Sequence, residues 1–313
     1  MTWLAGATER LGAGRRGFFV DDLAVSAKLA TNGMTIPWPA CCSENHGLDA
    51  VWLTPEAWAS ALAEHSAEAP VRVDLIQGLP LSSMSRPVLV LAADEREYYL
   101  KGAQCGRALV SEQVVARLGR AMGAPVPEVR ILNLPRDLVH YDSNMRGIMP
   151  GLAHGSLKIN DCSNESGRMH THAPENRSRY VLLATLFGLT VAGDHQFLLG
   201  DAPPRLVYSV DHGLFLPERN AWRTHDLEHP DLPQAPHLDS WLAQQCSFTA
   251  QEHQVACEAV ANLRAEDIAT AVAAPPETWG ILSEERVALA WYLGRRRDML
   301  LRHLCSIATG ATP

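Results

Sequence analysis

Residues 98–132 read YYLKGAQCGRALVSEQVVARLGRAMGAPVPEVRIL, and the period of their apolar positions changes twice. Tyr98 to Lys101 is a β-rich run. From Leu109 to Met122 the apolar residues Val110, Val114, Leu118 and Met122 recur every four residues, as on one face of a helix; Gly123 and then Pro125 supply the stop. Glu128 to Leu132 returns to a strand pattern. The stretch therefore predicts strand, amphipathic helix, strand. Upstream, Val71 to Leu75 alternates apolar and polar residues like a half-buried strand, and Gly78 to Ser85 is loop-like. Pro87 to Leu91 is a second β-rich run, and the polar turn Asp94 to Arg96 leads into Tyr98.

Further out, Thr54-Pro55-Glu56 predicts a helix start, with Thr as N-cap and Pro in the first turn. Residues 145–175 read as loop. A helix from Asn176 carries the apolar stretch Tyr180 to Gly193. Two β-rich pieces, Gln196 to Leu199 and Arg205 to Ser209, flank a turn at Gly200 to Pro204. Residues 237–244, 250–262, 265–273 and 283–304 have helical composition, the last with a basic outer face around Arg295 to Arg297. A strand-rich half feeding a helix-rich half predicts an α+β protein in two lobes. The expected division is an N-terminal extension of unassigned role at 1–68, a small strand-rich N-lobe at 69–150 and a helical C-lobe at 151–313.

At roughly 150 residues per domain, 313 residues suit about two domains or one bilobed unit, and 47% apolar with 20% charged residues is an ordinary globular mixture. Twenty-seven basic against 35 acidic side chains give a charge of −8, which leaves no positive field for a polyanion and disfavours nucleic acid as a partner. The stretch 180–193, about 14 residues, is short of the roughly 20 needed to cross a bilayer, so no membrane partner is expected. No basic leader with an apolar block opens the sequence, and the expected location is cytoplasmic. Seven scattered cysteines, Cys41-Cys42 among them, fit reduced fillers better than a disulfide framework or zinc ribbon. Met169-His170-Thr171-His172, with His154 nearby, reads as a polar loop rather than a metal cluster. Trp222, Trp241, Trp279 and Trp291 read as packing anchors.

The chemistry concentrates at two places. Antiparallel strands at 196–209 bring their far ends together; pairing Leu199 with Arg205 sets Asp194 opposite Val210, so that Asp194 and Asp211 flank one edge. Two acids there suit a divalent cation bound to phosphates, with Gln196 as a neutral oxygen. Lys101 ends a strand, and Glu112 follows near the start of the next helix. That placement lets a lysine pair with a carboxylate while pointing at a phosphate, as phosphoryl transfer requires. In the loop 78–85, Gly78, Ser82, Ser83 and Ser85 offer donors that could cover an ATP tail.

The segments YYLKG, LVSEQVVARLGRAMGAPVPEV, GLAHGS (151–156), GDHQFLL and SVDHGLF resemble the HipA-like kinase domain over about residues 70–300. The resemblance implies a two-lobed protein-kinase-like fold, ATP and Mg²⁺ as cofactors, and transfer of the γ-phosphoryl group to an acceptor hydroxyl of a protein Ser/Thr or a small molecule. In that scheme Lys101 contacts the α/β-phosphates, Glu112 holds Lys101, Asp194 orients the acceptor and Asp211 binds metal. The segment near Met149, Gly151 and Leu152 connects the lobes and meets adenine. The short spacing Asp194-His195-Gln196, where many such kinases read Asp-Arg-His-x-x-Asn, keeps an alternative in view: a catalytically silent nucleotide-binding scaffold. Nucleotidyl transfer is a third reading.

Overall fold

The computed structural model describes residues 54–65, 68–141, 148–164, 169–228 and 236–309. Cys41 and Cys42 lie outside them. Helix α1 (Pro55–Ala63) starts as expected: the Thr54 hydroxyl accepts from the Ala57 N–H at 3.3 Å. Then come β1 (Val71–Ile76), β2 (Val88–Ala92), β3 (Glu97–Lys101), α2 (Ala108–Ala121), β4 (Val129–Leu134), α3 (Arg136–Tyr141) and β5 (Gly151–Leu157). The five strands close a barrel in the order β1-β2-β3-β5-β4, antiparallel except where β1 meets β4. Val73, Val88, Val90, Tyr98, Leu100, Leu132 and Ala153 form part of its buried core.

Strand β5 corrects the reading of 145–175 as loop. Its residues, GLAHGSL, have weak strand propensity, but they are hydrogen-bonded along both edges, to β3 and to β4. A Cβ on Gly155 would sit 2.5 Å from Leu132 Cδ1, so glycine is what allows Leu132 to pack there. Because β5 stays in the barrel, the chain leaves it after Leu157 and not at 149–152. Met149 is 55% exposed, with its N–H 3.4 Å from Gln104 Oε1. Gly151, with φ +116°, opens β5.

The remainder comprises β6 (Cys162–Ser163), α4 (Pro174–Thr190), β7 (Phe197–Gly200), β8 (Val207–Ser209), α5 (Thr224–Glu228), α6 (Ser240–Cys246), α7 (Ala250–Asn262), α8 (Ala265–Ala273) and α9 (Ser283–Thr309). A second buried core runs through these helices and takes in α1 and α2. Strand β7 lies between β6 and β8. Leu199 faces Val207, not Arg205, because Arg205 is absorbed in the turn, where its N–H donates to Ala202 O. A slip of two residues keeps every side chain on its face. Counting outward, His195 now falls across from Asp211.

The basic run at 295–297 is not an outer face: Arg296 and Arg297 are buried. Arg296 donates to the carbonyls of Gly188 and Leu189 at the end of α4, Arg297 to Ala261 and Leu263 at the end of α7, and Arg295 to Leu227 in α5. Arg286 does the same for Val272, Ala273 and Pro275 after α8. Helix α9 thus supplies cations to the carbonyl ends of four neighbours, where the helix dipole favours positive charge. Of the tryptophans, Trp222 and Trp279 are buried, whereas Trp241 is 40% exposed and stacks on Phe197. Among the described residues no helix is long and apolar enough to cross a membrane.

Candidate active site

Lys101 is the last residue of β3, and its side chain is almost wholly buried where the barrel meets α2 and the turn after β8. Its ammonium donates to Glu112 Oε1 and, at 2.6 Å, to Asp211 Oδ1. The other Glu112 oxygen accepts the backbone N–H of His212 at 2.9 Å, so one carboxylate on α2 grips both the lysine and the turn. Asp211 sits at φ +61°, in the left-handed region that Asp tolerates. His212 is buried, with Nε2 3.0 Å from Ser209 Oγ. A Cβ on Gly213 would lie 3.2 Å from Glu112 Oε1 and 3.3 Å from Ala108 Cβ, so a side chain there would press the turn off α2.

Two carboxylates and one ammonium share this buried place. Burial alone would lower the Lys101 pKa, but Glu112 and Asp211 outweigh it and hold the lysine above its ordinary value. Asp211 is pushed upward, first by burial and then by repulsion from Glu112, which Lys101 only partly offsets. The two directions agree physically: the group carries one more negative charge than positive. Burial pushes His212 down to about 3, and burial followed by Lys101 holds His154 well below the usual histidine range, so both rings are neutral.

Asp194 follows the end of α4. Its Oδ1 accepts the His195 N–H at 2.8 Å and its Oδ2 accepts Gln196 Nε2 at 2.9 Å. A carboxylate only accepts, so the amide nitrogen of Gln196 faces Asp194 and its carbonyl oxygen faces away. His195 Nε2 lies 3.1 Å from Asp239 Oδ2, and Asp239 also caps α6 through the Leu242 N–H. A Cβ on Gly193 would fall 2.0 Å from Leu214 O; its absence lets the Asp194 segment close on the Asp211 segment. Two backbone bonds fasten them, Val210 N–H to Gln196 O at 3.1 Å and Leu216 N–H to Thr190 O at 2.9 Å.

Lys101, Glu112 and Asp211 are therefore in direct contact, and Asp194 with Gln196 forms a second group tied to them through the hairpin. In the loop before β2, Ser83 and Ser85 hydroxyls lie 3.4 Å apart, and Ser85 O is 3.5 Å from Cys105 Sγ, so the loop folds against the turn that follows Lys101. Ser82 is exposed. Met149 and Gly151 lose the topological ground for an adenine contact, since β5 intervenes before the crossing. Gly193, Gly213 and Asp239 escaped sequence reasoning, and His154, read there as part of a polar loop, is buried in β5, where the strand register pairs it with Lys101. Among the described residues no cluster of three or more His, Cys, Asp or Glu side chains is arranged to hold a metal, and His170 and His172 belong to no such group. The hard oxygens of Asp211 and Gln196, beside an excess negative charge, are donors of the kind that suits a magnesium ion taking its other ligands from phosphate and water. None of these residues lines the cleft of about 320 Å³ between α2, β4 and α8.

Residues 73–192 match the HipA-like kinase family, a stretch that holds Lys101 and Glu112 and ends before Asp194. No curated protein sequence matches the chain. Among solved structures, the Helicobacter pylori proinflammatory kinase CtkA is similar over 79% of this chain and 98% of its own, at 8% identity and a TM-score of 0.45. The Golgi casein kinase is similar over 82% and 77%, at 12% identity and 0.32. Its structure with Mn/ADP bound is similar over 82% and 78%, at 13% identity and 0.33.

Proposed function

We propose that this chain, similar to the HipA-like kinases over residues 73–192, is an ATP- and magnesium-dependent phosphotransferase with a two-lobed kinase-like fold whose lobes divide after Leu157. The acceptor is a hydroxyl of a protein or a small molecule. The observation that carries the reading is one buried lysine held by two carboxylates from different elements, Glu112 on α2 and Asp211 after β8.

In this reading Glu112 keeps Lys101 extended, and the ammonium turns toward the phosphates of an incoming nucleotide. Backbone and hydroxyl donors of the loop at Ser82, Ser83 and Ser85 cover the phosphate tail. Asp211 and the carbonyl oxygen of Gln196 hold magnesium, which when bound neutralises charge on the phosphate oxygens. Asp194 accepts the hydroxyl proton of the acceptor as its oxygen bonds to the γ-phosphorus and the bond to the β-phosphate oxygen breaks. The work is positioning and charge neutralisation. The same reading puts the chain in the cytoplasm, where ATP is available and thiols such as Cys105, Cys162 and Cys246 stay reduced.

One observation favours a silent nucleotide-binding scaffold: both Asp194 oxygens are already engaged by His195 and Gln196 of the same segment. Intact mass after incubation with ATP and Mg²⁺ separates the readings. A gain of about 80 Da per phosphoryl group supports phosphotransfer, about 329 Da per group would mean AMP transfer instead, and no gain with ATP still bound supports the scaffold. In Asp211→Ala, Mg²⁺-dependent nucleotide binding and turnover should both be lost; retention of either contradicts the metal role.

A further inference from the structure

Behind Glu112 a line of polar side chains runs back to the segment that precedes the barrel. Glu68 accepts from Arg117 on α2 and from Arg130 on β4. Arg117 also donates, through Nε, to Gln113 Oε1 at 3.0 Å. With its oxygen taken, the Gln113 amide turns its nitrogen to the Arg130 carbonyl and to His154 Nδ1, each at 3.0 Å. An amide nitrogen only donates, so Nδ1 of the neutral His154 ring accepts and the ring proton must sit on Nε2. That Nε2 is buried, meets no hydrogen-bond partner, and lies 4.0 Å from Glu112 Oε2. In this tautomer an N–H faces the carboxylate and attracts it; in the other, a lone pair would face it and repel it.

We infer that Gln113, held by the Arg130 carbonyl and by Arg117, is a positioning residue for Glu112: by fixing the His154 tautomer it turns an N–H toward one Glu112 oxygen while the other stays on Lys101. The significance for turnover rests on the phosphotransfer reading, whereas the tautomer relay stands on hydrogen-bond geometry alone. The far end of the relay is anchored outside the barrel. Helix α1 packs on α8 and α9 with Trp58 fully buried, and His65 Nε2 lies 2.9 Å from Thr270 Oγ1 of α8. Glu68 ties α2, the helix that carries Glu112, to β4 through Arg117 and Arg130. Burial would raise the Glu68 pKa, but Arg117 and Arg130 outweigh it and keep the carboxyl below its ordinary value.

An exposed charge network with no further role would contribute little and leave both His154 and turnover alone. Nitrogen-15 NMR of the imidazole rings in the full chain reads the tautomer directly. The expected result is Nε2–H for His154 in the wild type and a growing Nδ1–H population in Gln113→Met and Gln113→Leu, which take away the donor to Nδ1. In both variants kcat for phosphotransfer should fall by roughly twofold to threefold, less than a made hydrogen bond to a charged group would give because Nε2 stands 4.0 Å from the carboxylate, with KM for ATP unchanged. A His154 that stays Nε2–H in both variants overturns the relay. A tautomer shift with unaltered kcat overturns the positioning of Glu112. If the wild type shows no turnover, the phosphotransfer reading fails while the NMR result still decides the relay.

Discussion

Replacing Lys101 by Met removes the one cation from a site that then holds two carboxylates. The side-chain exposures are 8% for Lys101, 4% for Glu112 and 22% for Asp211, so water can do little to screen the repulsion. Removing one partner of such a buried group costs about 3–5 kcal/mol, a sizeable share of the 5–15 kcal/mol typical of folded domains. The cost should depend on pH in a definite direction. Asp211 already sits above its ordinary value, and without Lys101 it rises further. A group whose folded pKa is raised gives its full stabilisation below the unfolded value, about 3.9 for Asp, and loses it as pH climbs through the folded value. The gap between wild type and Lys101→Met should therefore be small near pH 4 and widen toward pH 8. Lys101→Met/Glu112→Gln should recover about half of the loss, because one of the two repelling charges is gone. Urea unfolding followed by tryptophan fluorescence at several pH values measures these differences, and calorimetry with MgATP should show weaker binding in the single variant. Equal stability of wild type and Lys101→Met at pH 8, or a double variant no better than the single one, would refute the shared ion pair.

Gly193→Ala would place a methyl group 2.0 Å from a backbone oxygen that has no room to retreat, so it should cost about 1–3 kcal/mol and part the Asp194 and Asp211 segments; wild-type turnover with a wild-type urea midpoint would contradict this. Arg296→Met should leave the carbonyls of Gly188 and Leu189 without their charged donor, for a loss of about 3–5 kcal/mol and a melting temperature lower by roughly 10 °C, on general scalings; a melting curve that does not move counts against the arginine caps. Burial pushes the Cys246 thiol up to about 11, so iodoacetamide at pH 8 should modify it at least about 100-fold more slowly than free cysteine, as read by peptide mass mapping.

Strong periodicity was legible from the sequence. Helix α2 shows its buried face in Val110, Val114 and Leu118, and α7 and α8 run over the residue ranges their composition predicts. The order lysine, glutamate, aspartate along the chain was legible too. Strand β5 was not: Gly151-Leu152-Ala153-His154-Gly155 has no intrinsic strand preference and becomes one only between β3 and β4, with Gly155 making room for Leu132. The β7–β8 register differs by two because the turn absorbs Arg205, and the alternation of apolar residues, which a shift of two leaves unchanged, does not distinguish the two registers. The arginines of α9 looked like a solvated face because composition records charge and not the helix ends that charge will meet.

The amino-acid order alone determined where helices such as α1, α2, α7 and α8 start, since caps, glycine stops and apolar spacing act over a few residues. It also determined which ionisable groups the chain has available. Only the folded chain decided that Lys101 meets Glu112 and Asp211 at once, and that Gly193 and Gly213 let the segments around them close. Only the folded chain turns His154 toward Glu112. Those contacts join residues up to 110 positions apart, and at that separation what selects a partner is the packing of whole elements against one another, which no local pattern encodes.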